Sequence, residues 1–269
     1  MANDPSVTGK VAVIGQSHVS CVEAAYRAMA GAGAKPDFDI TSLQLLRQDI
    51  PYLVHLDGVW RYNPVIDDEI SEFLAHERPM LTVLMLEGQH ASGSGFVPPV
   101  RPYDFHVPGE PYQRACEGEL VPYGMALEAT AALYTHVDAF VGRIKPSLGV
   151  NTIALSPPPP IGDNQRLRGL IAEANEQLRQ IGYEAGELPS PLWRAKTWRL
   201  HVTALGMLHA RHGIAFLPPP AAALIPGGFI AQALISDAFH GNQAYGALLL
   251  RQIEDVLASG MGLKDGVTV

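Results

Sequence analysis

Short apolar runs alternate along the chain with longer stretches in which apolar residues recur every three to four positions. The runs lie at 10–15, about 37–43, 80–86 and 150–155, with a fifth at 213–217. Their length and β-branched content are typical of buried strands, and the stretches between them are typical of amphipathic helices. The alternation predicts an α/β fold, a three-layer α/β/α sandwich with a mainly parallel central sheet.

The predicted helices cover 19–30, 67–76, 125–144, 164–181, 192–212 and 242–258. The first of them stops at Gly31 and Gly33, and glycine commonly ends a helix because it adopts the left-handed conformation without strain. Strand and helix patterns alternate from one end to the other, so we expect a single domain over residues 1–269.

One segment, 88–122, interrupts this alternation, because it is rich in proline, glycine and aromatic residues. Connections of this length without secondary structure are uncommon in compact domains and usually form lids or binding loops. The aromatic content argues against simple disorder. We therefore expect a long loop insertion that contributes to a binding site.

The composition excludes several classes of function. Of the 269 residues 47% are hydrophobic, which is enough for a sizeable core, and the net charge of −8 argues against a nucleic-acid partner. The two cysteines, Cys21 and Cys116, have no zinc-site or disulfide-framework spacing. The start of the chain lacks the basic and apolar regions of a signal peptide, and no later stretch is long enough to span a membrane, so we expect a cytoplasmic protein.

Candidate chemistry lies at the two ends of the chain. Ser17 follows the first apolar run, where open α/β sheets bind ligands, and Asp237 and His240 lie far downstream. A serine needs a base within hydrogen-bond reach, itself oriented by a third group, so these residues form a complete catalytic set. The spacing of Asp237 and His240 would place both side chains on one side of a helical turn. The structural alternative is that Ser17 and Asp237 only cap helices.

The blocks around these residues resemble those of the SGNH hydrolases, the GDSL-related esterase and lipase superfamily. Gly15-Gln16-Ser17 is similar to the first block, Gly-Asp-Ser, and 236–246 is similar to the last block, Asp-x-x-His with a glycine-bearing helix. Gly88-Gln89-His90 falls where the third block has Gly-x-Asn-Asp. The loop glycine of the second block is matched by Gly58, with Asn63 as the other candidate.

The resemblance implies a flavodoxin-like fold and hydrolysis of carboxylic esters without a cofactor. Ser17 would be the nucleophile, His240 the general base, and Asp237 the group that orients His240. The resemblance also implies an oxyanion hole formed by the backbone N–H groups of Ser17 and Gly58 and the side chain of His90. His90 stands where the family has asparagine, and Gln16 stands where it has aspartate, a position without a catalytic role.

Two other functions remain open from the sequence. An O-acyltransferase could use the same triad with an alcohol acceptor in place of water, and a catalytically inactive member of the fold could bind a ligand. In each case the partner would be a small molecule such as an ester or carbohydrate ester, and a homo-oligomer is compatible with the composition. We expect His18 to face away from the site.

Overall fold

The computed structural model describes residues 9–47, 49–93, 95–96, 101–174 and 188–260, with the backbone alone at positions 89, 90 and 92. The strands in this part of the chain are β1 (Gly9–Gly15), β2 (Phe38–Gln44), β3 (Leu53–Leu56), β4 (Val59–Tyr62), β5 (Leu81–Met85), β6 (Tyr103–Asp104), β7 (Glu119–Leu120), β8 (Thr152–Leu155), β9 (Ala215–Leu217), β10 (Leu224–Ile225) and β11 (Phe229–Ile230). The α-helices are α1 (Val19–Gly31), α2 (Pro64–Glu77), α3 (Gly88–Gly93), α4 (Tyr123–Ala132), α5 (Thr135–Ile144), α6 (Asn164–Glu173), α7 (Pro191–Arg211) and α8 (Gln243–Ser259).

All five predicted strands lie side by side in one parallel sheet. Their order is β2-β1-β5-β8-β9, and Gly15 at the end of β1 pairs with Gln44 on one side and Met85 on the other. This is the doubly wound, flavodoxin-like order, in which successive strands are added first on one side of β1 and then on the other, so that the strand order reverses between β1 and β5. The predicted α/β fold with a parallel sheet is confirmed, and the carboxyl ends of β1 and β5 flank the switch point.

Helices cover both faces of this sheet. Alternate residues of β1 point to opposite sides: Val11 and Val13 belong to one core cluster, and Ala12 and Ile14 belong to the other. The first cluster packs under α1, α6 and α8, and the second under α2, α5 and α7. Gly246 lets α8 approach α1 closely, because a Cβ there would lie 2.0 Å from a backbone oxygen of α1.

Two helix predictions differ from the structure. The predicted helix 125–144 is two helices, α4 and α5, because α4 packs on α7 while α5 packs on β4. The buried Tyr134 lies at the break and bonds to His201 of α7. The predicted helix 164–181 is α6, which ends at Glu173, and the stretch 175–187 lies outside the described residues.

The prediction missed the β3–β4 hairpin. Asp57 and Gly58 form its turn with φ values of 52° and 78°. An Asp-Gly pair between two apolar runs is a strong sequence signal for such a turn, because both central residues need positive φ. The signal was present in the sequence, but the strands that flank it are only four residues long.

Segment 88–122 contains regular structure, so the expectation of a loop without secondary structure is wrong. It begins with α3, and β6 pairs with β7. Phe105 is fully buried against Trp193 of α7, and Asp104 forms an ion pair with the buried Lys196 of the same helix at 2.8 Å. These contacts fasten the 101–122 part of the segment to the body of the protein.

None of the helices in the described part of the chain is long and apolar enough to cross a membrane.

Candidate active site

Ser17 lies two residues beyond the end of β1 and just before α1. It is half-buried, and its hydroxyl oxygen lies 2.7 Å from Nε2 of His240. The helix N-cap is His18, and no side chain accepts a hydrogen bond there. The hydroxyl of Ser17 therefore points towards the other end of the chain instead of capping α1.

Asp237 and His240 lie in a tight loop before α8. A bridge between Ile235 and Gly241 closes this loop, and Oδ1 of Asp237 accepts hydrogen bonds from the backbone N–H groups of Phe239 and His240 at 2.8 and 2.9 Å. The loop is not a helical turn, so the expected helical placement is wrong although the two side chains do meet. The cap of α8 is Asn242, which leaves Asp237 free of that task.

The three side chains are joined in one chain of hydrogen bonds. Nδ1 of His240 lies 2.8 Å from Oδ2 of Asp237, and Nε2 of His240 faces Ser17. Since an ionised carboxylate only accepts, the proton of a neutral imidazole belongs on Nδ1, which leaves the Nε2 lone pair facing the hydroxyl. The arrangement fits a hydroxyl beside a correctly oriented base.

The carboxylate of Asp237 stays ionised in this environment. Burial alone would raise its pKa, but the hydrogen bond and charge of His240 and the two backbone N–H donors outweigh burial and hold the pKa at about 2. The ionised form can therefore orient His240 over the whole neutral and mildly acidic range.

The expectation that His18 faces away from the site is wrong. Its side chain is buried, and its ring centroid lies 4.8 Å from that of His240. Neither ring nitrogen has a hydrogen-bond partner in the described structure. Burial, followed by the nearby His240, lowers the pKa of His18 to about 3, so its imidazole is neutral beside His240.

Besides His90, three residues were candidates for the oxyanion hole, namely Ser17, Gly58 and Asn63, and the structure places them differently. The backbone N–H of Ser17 takes part in none of the hydrogen bonds found among the described residues, so it can donate to a ligand. Gly58 lies at the exposed tip of the β3–β4 hairpin, where the turn itself accounts for a glycine, and its oxyanion role stays a prediction.

Asn63, the other candidate for the second block, caps α2. Its side-chain oxygen accepts from Val65 N, its amide donates to the Pro51 carbonyl, and its backbone N–H donates to Tyr52. These bonds explain Asn63 as the cap of α2 and engage its backbone N–H and one of its two amide N–H groups, and its place in the second block stays a prediction.

His90 is the third residue of α3, which directly follows β5. Its backbone therefore lies beyond the end of the strand next to β1, as the third block requires. Its side chain lies outside the described residues. The oxyanion role of His90 stays a prediction.

An apolar cleft opens beside His240. It is lined by Phe96, Pro158, Pro159, Pro160, Ile161, Ile230, Ile235, Asp237, Ala238, Phe239 and His240. The proline-rich loop after β8 thus forms a wall of the site as well as ending the strand. Arg194 of α7, which is buried, holds this loop by donating to the carbonyl oxygens of Ile161 and Gly162.

A buried polar cluster next to the site was missed in the sequence. Gln16 and Glu87 follow β1 and β5 and hydrogen-bond to each other, and Tyr62 from β4 donates to Glu87. A charged residue at the end of an apolar strand run, as in 81–87, was the only signal for it. In the described part of the chain, no group of three His, Cys, Asp or Glu side chains could hold a metal ion.

No known family profile matches the chain, and no curated protein matches it. Among solved structures it is similar to the periplasmic domain of a lipopolysaccharide acetyltransferase from Salmonella ser. Paratyphi A, with a TM-score of 0.51 and 12% identity, over 94% of this chain and 84% of that one. It is also similar to a GDSL-like lipase from Bacteroides thetaiotaomicron (TM-score 0.44, 9% identity, covering 97% and 93%). A carbohydrate acetylesterase from Sinorhizobium meliloti matches at a TM-score of 0.43 and 13% identity, covering 94% and 100%. At this identity the likeness is one of fold: the chain shares the α/β fold of the acetyltransferase domain over nearly its whole length.

Proposed function

We propose that this protein is a member of the SGNH superfamily that hydrolyses small carboxylic esters through an acyl-enzyme on Ser17. One observation carries the proposal: His240 lies within hydrogen-bond distance of both the Ser17 hydroxyl and the Asp237 carboxylate. Its support is geometric, because a nucleophile, a base and an orienting acid are recognised by their mutual positions.

In the first half-reaction the Ser17 oxygen attacks the carbonyl carbon of the ester. Nε2 of His240 takes the hydroxyl proton, and Asp237 stabilises the imidazolium that forms. The carbonyl oxygen becomes negative and accepts hydrogen bonds from the N–H of Ser17 and from the other donors of the hole. When the tetrahedral intermediate collapses, the bond to the alkoxy group breaks and the imidazolium returns its proton to the leaving alcohol.

In the second half-reaction water replaces the alcohol. His240 removes a proton from water, the hydroxide oxygen bonds to the acyl carbon, and the Ser17 oxygen leaves with the proton returned by His240. The free carboxylic acid and the original enzyme result.

The surroundings of the triad favour small substrates with an apolar part. The proline loop and Phe239 line an apolar cleft that ends at His240. An acyl or alcohol group of the ester can replace water in this cleft, and burial of apolar area there contributes to binding.

A fluorophosphonate probe tests the proposal, because it phosphonylates only an activated serine. We expect the wild-type protein to be labelled once and to hydrolyse short p-nitrophenyl esters. Ser17→Ala should abolish labelling and lower kcat by on the order of 10³-fold or more. The matched control is Ser20→Ala, which removes a nearby exposed hydroxyl on α1 that accepts from Gln44.

The outcomes of this experiment separate the candidate functions. Labelling that Ser17→Ala leaves intact would place the nucleophile elsewhere. A folded wild-type protein that is neither labelled nor active would favour the ligand-binding alternative. The circular dichroism spectrum shows in each case whether the variant is folded.

The second candidate is an O-acyltransferase with the same triad. It is favoured by the shared fold with an acetyltransferase domain and by the half-buried Ser17, since a second alcohol must reach the acyl-enzyme. Incubation with p-nitrophenyl acetate and a panel of sugars and polyols distinguishes the two. Acylated acceptor in excess of free acetate would favour transfer over hydrolysis.

A further inference from the structure

Gln16 and Glu87 exchange two hydrogen bonds across the switch point of the sheet. The amide of Gln16 donates to Oε1 of Glu87 at 3.1 Å, and the backbone N–H of Glu87 donates to Oε1 of Gln16 at 3.0 Å. Tyr62 donates to the same carboxylate oxygen at 2.5 Å, and His136 lies 3.5 Å from it. Gln16 and Glu87 are 6% and 1% exposed, so water contributes little to satisfying them.

The backbone at Glu87 is strained in a way that the side-chain bonds explain. Its φ of 57° lies in the left-handed region, which is unfavourable for a residue with a Cβ and persists only where the surroundings hold it. The hydrogen bonds from Gln16 and Tyr62 are such a restraint. This turn at Glu87 directs the chain from β5 into α3.

The residue after Glu87 is held equally closely. A Cβ on Gly88 would lie 2.1 Å from the ring of His18, so only glycine fits between β5 and the residue that follows Ser17. The start of α3 is thus fixed from two sides, by the carboxylate of Glu87 and by the packing of Gly88 on His18. Both restraints tie α3 to the two residues that flank Ser17.

We propose that Gln16 and Glu87 are positioning residues that set the Gly88–Gly93 segment against Ser17, an inference that rests on the proposed esterase function. They do not touch the substrate. They act through α3, whose residues face the carbonyl oxygen of the ester if this segment supplies an oxyanion donor. An error of about 1 Å in such a donor can cost on the order of 10²-fold in rate.

The chemistry of the pair also explains why position 16 is not acidic in this chain. The side chain at position 16 must accept from the backbone N–H of Glu87 and donate to its carboxylate at the same time. Glutamine has both groups, whereas a carboxylate is an acceptor only and would repel Glu87 in a buried site. Gln16, which stands where the SGNH hydrolases have aspartate, is therefore chemically matched to Glu87.

A double-mutant cycle tests the pair with isosteric changes. Gln16→Glu places two carboxylates in contact and should lower kcat on p-nitrophenyl acetate by on the order of 10²-fold with little change in KM. Glu87→Gln keeps an acceptor for Tyr62 and Gln16, so we expect a loss of less than about fivefold. In the double variant the new amide at position 87 donates to the new carboxylate, and kcat should return to within about fivefold of Glu87→Gln.

The matched control is Gln44→Glu. Gln44 pairs with Gly15 at the same edge of the sheet and bonds to Ser20, so this change adds the same charge nearby without meeting Glu87. We expect its kcat to stay within about twofold of wild type, since the side chain at position 44 is partly exposed and solvent and salt screen its charge. Fluorophosphonate labelling and the melting temperature are measured for every variant.

The cycle distinguishes the two proposals. An unlabelled, inactive wild type contradicts the esterase function. A labelled, active wild type in which Gln16→Glu retains its kcat, or in which the double variant is no better than Gln16→Glu, contradicts the positioning role. If Gln16→Glu fails to fold, the kcat of the double variant and of Glu87→Gln still decides the question, because rescue requires the matched pair.

Discussion

Two aspartates of this protein have similar hydrogen bonds and opposite surroundings. Asp237 accepts from two backbone N–H groups and from His240, and its side chain is 44% exposed. Asp104 accepts from the backbone N–H groups of Phe105 and Ala115 and from Lys196, and it is 1% exposed. One pair opens to the solvent beside a serine, and the other is enclosed between segment 101–122 and α7.

The difference lies in what the partner can still do. His240 keeps a second ring nitrogen, Nε2, that faces the hydroxyl of Ser17. Lys196 has all three donors engaged, by Asp104 and by the carbonyl oxygens of Phe105 and Gln113. Asp237 orients an imidazole whose other nitrogen still faces a hydroxyl, an arrangement suited to proton transfer. Asp104 holds an ammonium whose donors are all bonded within the protein, an arrangement that stabilises the fold.

The largest expected effect is a loss of activity when the exposed Asp237–His240 pair is changed. Asp237→Asn should lower kcat for short esters by about 10³-fold or more, yet less than Ser17→Ala, because it removes orientation and charge stabilisation and leaves the base. The melting temperature should fall less than for a buried carboxylate, since the Asp237 side chain is nearly half exposed and solvent screens its charge. Steady-state kinetics and thermal denaturation check both parts, and a large loss of stability with intact activity would erase the contrast between the aspartates.

The same substitution in the enclosed pair should have the reverse outcome. Asp104→Asn leaves the buried Lys196 without its counter-charge, which costs about 3–5 kcal/mol in the free energy of unfolding. The kcat of the folded fraction should match wild type. Urea denaturation measures the loss, and Asp39→Asn, in the solvent-accessible pair with Lys35, should cost less than about 1 kcal/mol.

The smallest expected effect is a loss of stability at acidic pH. Burial lowers the pKa of His18 to about 3 and, as the largest of several causes, the pKa of His209 to about 4. Since both histidines bind protons more readily when unfolded, the free energy of unfolding should fall as the pH drops from about 6.5 towards 4. Asp237, with its pKa near 2, loses its contribution only below that range.

Thermal denaturation between pH 7 and 4 checks this direction. His209→Phe should flatten the decline because it removes one of the two buried groups, and His209 packs against Phe216 away from the triad. A variant that declines as steeply as wild type would show that His209 is not one of the groups responsible.

Local patterns were sufficient for the main sheet. The apolar runs of β1, β5 and β8 are buried on both faces of the sheet, and such short continuous runs are recognisable in the sequence, whereas the edge strands β2 and β9 are mostly only partly buried. The break at Tyr134 was not predictable, since it arises from contacts of α4 and α5 with different partners. The strands within 88–122 were unpredictable for the same reason, because Asp104 and Phe105 are held by contacts with Lys196 and Trp193 of α7, which lie far away in the sequence.

For the site, residue types and their order along the chain were enough to recognise the parts: a serine after the first strand, an Asp-x-x-His block near the end, and a glycine after β5. Three features follow only from the packing of the whole chain: these parts meet, His18 packs on His240, and Gln16 pairs with Glu87. The reason is physical. Residue types and their spacing fix what a side chain can donate or accept, but a distance of 2.7 Å between residues 223 positions apart depends on how the whole sheet and its helices pack.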